Sequence, residues 1–154
     1  MSMKLAEALS LRKDLEKRIA KLKDRLENVV RVQEGDKPAE SPEELMTELD
    51  NCLVQLESLI YNINVTNMDV VTEDGKPMTL LLAKRDVLSK RINILRNAFD
   101  RASNSCERYS RNEIRTSPTV NVKALRRQLD DYSKQYRILD MLIQSMNFTN
   151  DLVE

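Results

Sequence analysis

Apolar residues recur three or four positions apart over four long stretches of this sequence, and this spacing is the feature that most constrains its fold. An α-helix turns once in about 3.6 residues, so residues spaced in this way share one helix face. The spacing predicts four amphipathic helices over about residues 3–30, 42–66, 79–107 and 122–147, in a single helical domain covering residues 1–154. A helix of about 25 residues would be about 37 Å long at about 1.5 Å per residue.

Turn-forming residues separate the helices and suggest how they are connected. Gly35 and Pro38 interrupt the pattern before the second helix, and Asp74-Gly75 does so before the third. Long helices that keep a three-four repeat pack side by side, so we predict an all-α bundle of four antiparallel helices with extended connectors. Because short apolar runs flank Asp74-Gly75, a very small β-hairpin near residues 70–78 is compatible with the sequence.

Three polar residues stand where the predicted helices begin. Ser41 precedes Pro42 and Glu44, which is the pattern of a capping box with proline as the first helical residue. Thr79 and Asn121 are the corresponding caps expected for the third and fourth helices.

Composition agrees with a helical protein of the cytoplasm. The chain has 2 glycines, 4 prolines and, counting 4 Tyr and 2 Phe, few aromatic residues, which favours helix over sheet. Equal numbers of basic and acidic residues, 25 of each, give no general electrostatic case for binding nucleic acid. We expect no signal peptide and no membrane span, because no apolar run is long enough. Cys52 and Cys106 lie on apolar faces of different predicted helices, which predicts two buried free thiols.

The residues that are missing narrow the possible chemistry. The chain contains no histidine, which excludes the usual catalytic triads, HExxH zinc sites and the Glu-x-x-His di-iron bundle. Glu40 and Glu43 form an ExxE pair, but the later ExxD that a magnesium-dependent nucleotide pyrophosphohydrolase would need is absent. No phosphate-binding glycine loop occurs. We therefore expect no enzyme activity, cofactor, metal site or catalytic residue; a carboxylate-metal hydrolase is the less favoured alternative.

Two connectors carry opposite charge and would share one end of the bundle. The connector between the first and second predicted helices is acidic. The connector between the third and fourth predicted helices contains the arginine-rich stretch "RYSRNEIR". They could form a structural latch through charge-assisted hydrogen bonds, or a surface that binds a ligand or a protein partner. We call this set the connector pole; it comprises Glu34, Asp36, Glu40, Arg108, Tyr109, Arg111, Glu113 and Arg115.

Two arginines occupy positions where the helical spacing calls for an apolar residue. Arg12 falls in the first helix and Arg85 in the third, and a buried guanidinium without a partner is costly. We expect Asp140 of the fourth helix, with Asp86 or Glu16 as helpers, to neutralise at least one of them. The candidate buried polar cluster of Arg12, Arg85 and Asp140 is then an ion pair that fixes helix register or an anion pocket.

Additional apolar positions widen the predicted helix faces. They would either thicken the core or pair subunits, and the sequence leaves both alternatives open. On this basis we expect a homo-oligomer and an interaction or scaffold role, with any protein partner unknown. These positions are Met46, Leu53, Ile60, Leu82, Ile94, Ile138 and Leu142.

Several motifs together resemble a known family over almost the whole chain. They are "MKLAEAL", "VQEGDKPAE", "INVTN", "KRDVL", "RYSRNEIR", "TVNVKALR" and "RILDMLIQSMNFT". This set is similar to small bacterial proteins called septicolysin-like, although Phe148 stands where those proteins tend to have tryptophan. The resemblance implies a helical fold, no assigned molecular role and no catalytic residues. The family's name adds a membrane-active protein as an alternative function.

Overall fold

Four long helices make up most of the chain, as the spacing of apolar residues predicts. A computed structural model describes residues 2–104 and 114–154, with helices α1 (Leu5–Val29), α2 (Pro42–Asp69), α3 (Met78–Ser103) and α4 (Val122–Thr149). The predicted all-α class with four long helices is confirmed. The chain divides into two compact units, one of residues 1–77 with 145–154 and one of residues 78–144.

The first unit is built on an antiparallel hairpin of α1 and α2. Arg25 near the end of α1 pairs with Glu40 just before α2. Arg18, seven residues earlier on α1, pairs with Glu48 on α2. The buried residues of each helix are spaced by seven, which is the repeat of a coiled coil. These rows are Ala8, Leu15, Leu22 and Val29 on α1, and Leu45, Cys52, Leu59 and Thr66 on α2. Cys52 is a buried free thiol, as expected, whereas Cys106 lies outside the described residues.

The segment between α2 and α3 is a tight reversal, not an extended hairpin. Val71 and Pro77 form a single antiparallel bridge, and Thr72 N–H donates to the carbonyl of Lys76 at 2.8 Å. Gly75 sits at the tip with φ of 80°, a left-handed conformation that favours glycine. The small β-hairpin considered from the sequence is thus reduced to one bridge.

The second unit contains an antiparallel pair formed by α3 and residues 122–144 of α4. Arg85 early in α3 pairs with Asp140 late in α4, and Arg91 reaches Tyr132. Farther along, the guanidinium of Arg126 lies 5.9 Å from the ring centre of Phe99. These partners run in opposite directions along the two helices.

The helix boundaries differ from those predicted in ways that local bonding explains. Helix α2 continues to Asp69 because Val70 N–H donates to the Thr66 carbonyl at 2.9 Å and extends the helical ladder. Helix α3 begins at Met78, directly after Pro77, so Thr79 lies inside the helix and is not its cap. Asn121 does cap α4, where its Oδ1 accepts from Ala124 N–H at 3.0 Å.

Candidate functional site

One acidic member of the predicted connector pole is already held by a cation of its own unit. Arg25 Nε donates to Glu40 Oε2 at 3.1 Å, and Arg25 Nη2 contacts the other carboxylate oxygen. This two-point contact has the geometry that guanidinium groups prefer with carboxylates. The hydrogen bonds from Arg25 hold the pKa of Glu40 below its ordinary value. Glu40 therefore ties the first connector back to α1.

The remaining members of the connector pole are exposed or fall outside the structure's description. Glu34, Asp36 and Arg115 have exposed side chains. The first connector is ordered locally, since Asp36 N–H donates to the Gln33 carbonyl at 3.0 Å next to Gly35. The predicted pairing of the two connectors stays a prediction. The predicted residues Arg108, Tyr109, Arg111 and Glu113 lie outside the described residues.

The two arginines in apolar positions each have a carboxylate partner. Arg85 Nη1 donates to Asp140 Oδ1 at 2.8 Å, with the side chains 28% and 36% exposed. Arg12 Nε donates to Glu16 Oε1 at 3.1 Å within α1. Asp86 pairs instead with Lys90. Both arginines are only partly buried, so their aliphatic stems can cover apolar surface while their charged ends stay near water.

An open, mainly apolar groove lies between α3 and α4 in the second unit. It measures about 520 Å³. Leu88 and Leu139 face it from opposite helices, while Lys84 and Arg91 supply cationic edges. The Arg91 guanidinium is held in place because it lies 5.1 Å from the ring centre of Tyr132 and donates to its hydroxyl at 3.2 Å. We call this feature the α3–α4 groove.

Large apolar side chains remain exposed on the helices at regular spacing. On α3, Val87 and Ile94 are 56% and 67% exposed and, with Leu80, stand seven residues apart. On α2, Tyr61 and Met68 are 68% and 69% exposed. Among the additional apolar positions singled out from the sequence, five are exposed and two are partly covered. The exposed ones are Met46, Leu53, Ile94, Ile138 and Leu142; the others are Ile60 and Leu82.

The N-terminal residues bond to the C-terminal residues, and Val153 in turn bonds to the last turns of α2, an arrangement that no sequence motif predicts. Leu5 N–H donates to the Asn150 carbonyl at 3.0 Å, and Leu152 N–H donates to the Met3 carbonyl at 2.7 Å. Val153 N–H donates to the buried Thr66 hydroxyl at 2.9 Å. We call Met3–Leu5, Thr66 and Asn150–Val153 the terminal clasp. Most of its bonds use backbone N–H and carbonyl groups, which every residue type except proline possesses, so no motif marks them.

The terminal clasp also carries a charged contact. Lys4 Nζ lies 2.6 Å from Asp151 Oδ1, and the same ammonium donates to the Thr149 carbonyl at 3.3 Å. Hydrogen bonds from Lys4 and then Ser2 lower the pKa of Asp151. Thr66 in turn donates to the Asn62 carbonyl at 2.7 Å, so its hydroxyl is satisfied as both donor and acceptor.

Two further properties bear on the functional alternatives. Within residues 2–104 and 114–154, no three metal-binding side chains of the His, Cys, Asp or Glu type come together. Among the helices of that same part of the chain, none combines the length and hydropathy needed to cross a bilayer.

Comparison with protein families matches residues 12–152 to a family described as "Family of unknown function (DUF6847)". The chain belongs to this family. Because the matched region contains all four helices except the first turns of α1, membership covers nearly the whole fold. The implied lack of an assigned role agrees with this description, whereas the septicolysin-like resemblance itself stays a prediction.

A solved structure with the same fold comes from Corynebacterium diphtheriae and is described as that of a functionally unknown conserved protein. It is 35% identical in sequence, with a TM-score of 0.93 over 99% of this chain and 100% of the other. No curated protein matches this sequence.

Proposed function

We propose that this member of the family is a non-enzymatic interaction protein that associates with further copies of itself through exposed helix faces. The observation that carries the proposal is the seven-residue spacing of exposed apolar side chains on α3, namely Leu80, Val87 and Ile94. Scattered apolar residues are normal on any protein surface, but a row at coiled-coil spacing is the pattern of a helix that packs against another helix.

Apolar rows that stay in contact with water are unfavourable in free energy. Burial of apolar surface stabilises an assembly by roughly 25 cal/mol per Å². The row of Leu80, Val87 and Ile94, of which Val87 also lines the α3–α4 groove, offers such surface without requiring any helix to unfold. A second copy presents the same rows, so one sequence supplies both sides of the contact.

The non-enzymatic part of the proposal is supported by the chemistry available to the chain. With no histidine, general acid–base work at neutral pH would fall to carboxylates or lysines with strongly shifted pKa values. The ExxE carboxylate Glu40 is held by Arg25, so it would have to leave that contact before it could bind a metal ion. The cytoplasmic location stays a prediction from the sequence.

Sedimentation velocity of the purified chain over a broad concentration range tests self-association. We expect a mass above the monomer mass of 17.9 kDa that falls on dilution. Replacing Ile94 by Ser should weaken the assembly by about tenfold, since it removes an exposed apolar side chain from the α3 row.

The matched control is Ile114→Ser. Ile114 is 91% exposed and lies outside the helices, so the same chemical change should leave the mass unaltered. A wild-type chain that remains monomeric at every accessible concentration would contradict self-association. Equal effects of the two substitutions would show that general surface hydrophobicity, not the α3 row, drives the assembly.

A further inference from the structure

Helices α2 and α3 carry opposite charge. Helix α2 carries six acidic residues and no basic one: Glu43, Glu44, Glu48, Asp50, Glu57 and Asp69. Helix α3 carries six basic residues and two acidic ones: Lys84, Arg85, Lys90, Arg91, Arg96 and Arg101, against Asp86 and Asp100. Each helix also exposes apolar side chains at seven-residue spacing. The two helices therefore combine opposite charge with the same spacing of exposed apolar residues.

On α2, acidic residues lie within the exposed apolar surface. Met46, Leu53 and Ile60 form one row of seven-residue spacing, and Val54, Tyr61 and Met68 form a second. At about 100° per residue, Asp50 and Glu57 project between these two rows. Neither carboxylate forms an ion pair within residues 2–104 and 114–154. The exposed face of α2 is therefore apolar with a line of available negative charge.

On α3, the corresponding charges are positive and have the same spacing. Lys84 and Arg91 are seven residues apart, as are Asp50 and Glu57 on α2. Seven residues correspond to about 10.5 Å along a helix, so both ion pairs can form at once between two helices. The same two cations edge the α3–α4 groove, which would receive apolar side chains of a docked helix.

We propose that the α3–α4 groove and the Leu80, Val87 and Ile94 row bind α2 of a second copy of this chain, with Asp50 and Glu57 placed against Lys84 and Arg91. This inference rests on the proposed self-association and assigns its surfaces. Apolar burial supplies the affinity, while the opposite charges select α2 over the basic helix surfaces of the same protein.

Charge reversal in the full chain tests the assignment. One variant carries Asp50→Lys and Glu57→Lys, and the other carries Lys84→Glu and Arg91→Glu. Each variant alone places like charges at the contact, so we expect its apparent dissociation constant, measured by sedimentation, to rise by about tenfold or more. An equimolar mixture of the two variants restores both sets of opposite charges and should recover the wild-type mass with both chains in one complex.

Matched controls move the same number of charges on the exposed surface of α1. They are Lys17→Glu with Lys21→Glu, and Asp14→Lys with Asp24→Lys, and both should assemble as the wild type does. Because Arg91 also contacts Tyr132, the single Lys84→Glu variant keeps that contact and should still weaken assembly. Equal helix content by circular dichroism shows that each variant is folded.

The outcomes separate this inference from the proposal beneath it. A monomeric wild-type chain overturns self-association and, with it, this assignment; the groove would then have to take a helix of a different protein. A wild-type assembly that both reversals leave intact, or a mixture that forms no joint complex, overturns the assignment alone. Mutual rescue in the mixture, with inert controls, establishes the α2 to α3 contact between copies.

Discussion

Thr66 shows how much one buried hydroxyl can contribute to the first unit. It is fully buried, accepts from Val153 N–H at 2.9 Å and donates to the Asn62 carbonyl at 2.7 Å. Thr66→Val preserves the shape but leaves a partly buried N–H of the terminal clasp without an acceptor. We expect a loss of about 1–3 kcal/mol in the free energy of unfolding, measured with urea.

Thr47 provides the control for Thr66, because its hydroxyl makes the same bond to the carbonyl four residues earlier while it remains exposed. Thr47→Val should change the unfolding free energy by no more than about 0.5 kcal/mol. If the two substitutions destabilise the protein equally, the contact with Val153 does not stabilise the clasp.

Residues that act locally were predictable from the sequence, whereas those of the clasp were not. Ser41 accepts from Glu44 N–H at 3.3 Å, and Asn121 caps α4, because a cap depends only on residues three positions apart. The partnership of Thr66 with Val153 joins positions 87 residues apart through a backbone N–H. No residue type signals such a bond in advance.

At the level of helices, the Arg85–Asp140 pair links α3 to α4 at a position where an apolar residue is expected. Both side chains are partly shielded from water, so we expect a double-mutant cycle with Arg85→Leu and Asp140→Leu to give a coupling of about 1 kcal/mol. The double variant should recover much of the stability that either single variant loses, since leucine suits the helix face.

The Arg12–Glu16 pair is the comparison for this cycle because it lies within one helix and is more exposed. Its cycle, with Arg12→Leu and Glu16→Leu, should give about 0.3–0.5 kcal/mol. Couplings of equal size in urea denaturation would mean that the contact between helices adds nothing beyond an ordinary surface ion pair.

The spacing of apolar residues predicts where the helices lie and which face of each is apolar. It does not predict whether that face is buried within the chain or left exposed. The apolar spacing correctly predicts four helices, yet Leu22 is buried while Ile94, equally apolar, is 67% exposed. Periodicity shows that a side chain needs a partner and does not say whether that partner belongs to the same chain. Met46, Leu53 and Ile94 stand out in the sequence as additional apolar positions, but only the contacts within each unit show that they stay exposed.

For the protein as a whole, we expect a fall in pH to destabilise the first unit before the second. Hydrogen bonds from Arg25, Thr72 and Lys4 lower the pKa values of Glu40, Asp74 and Asp151, and all three carboxyls lie in the first unit. A carboxyl whose pKa is lower in the folded state stabilises that state above its unfolded pKa of about 4. That contribution disappears as pH falls through the lowered folded values.

We therefore expect the urea concentration at the midpoint of unfolding to decline as pH falls from about 5 to about 2. The decline should be shallower in a triple variant that carries Glu40→Gln, Asp74→Asn and Asp151→Asn. At pH 7 the triple variant should be the less stable protein, whereas below all the carboxyl pKa values the two proteins should converge. Replacing the exposed Asp14, Asp24 and Asp69 by Asn is the matched control, since none of them accepts a side-chain hydrogen bond within the described ranges. Parallel pH profiles for the wild type and the triple variant would contradict the assignment, because the acid sensitivity would then arise from other carboxyls.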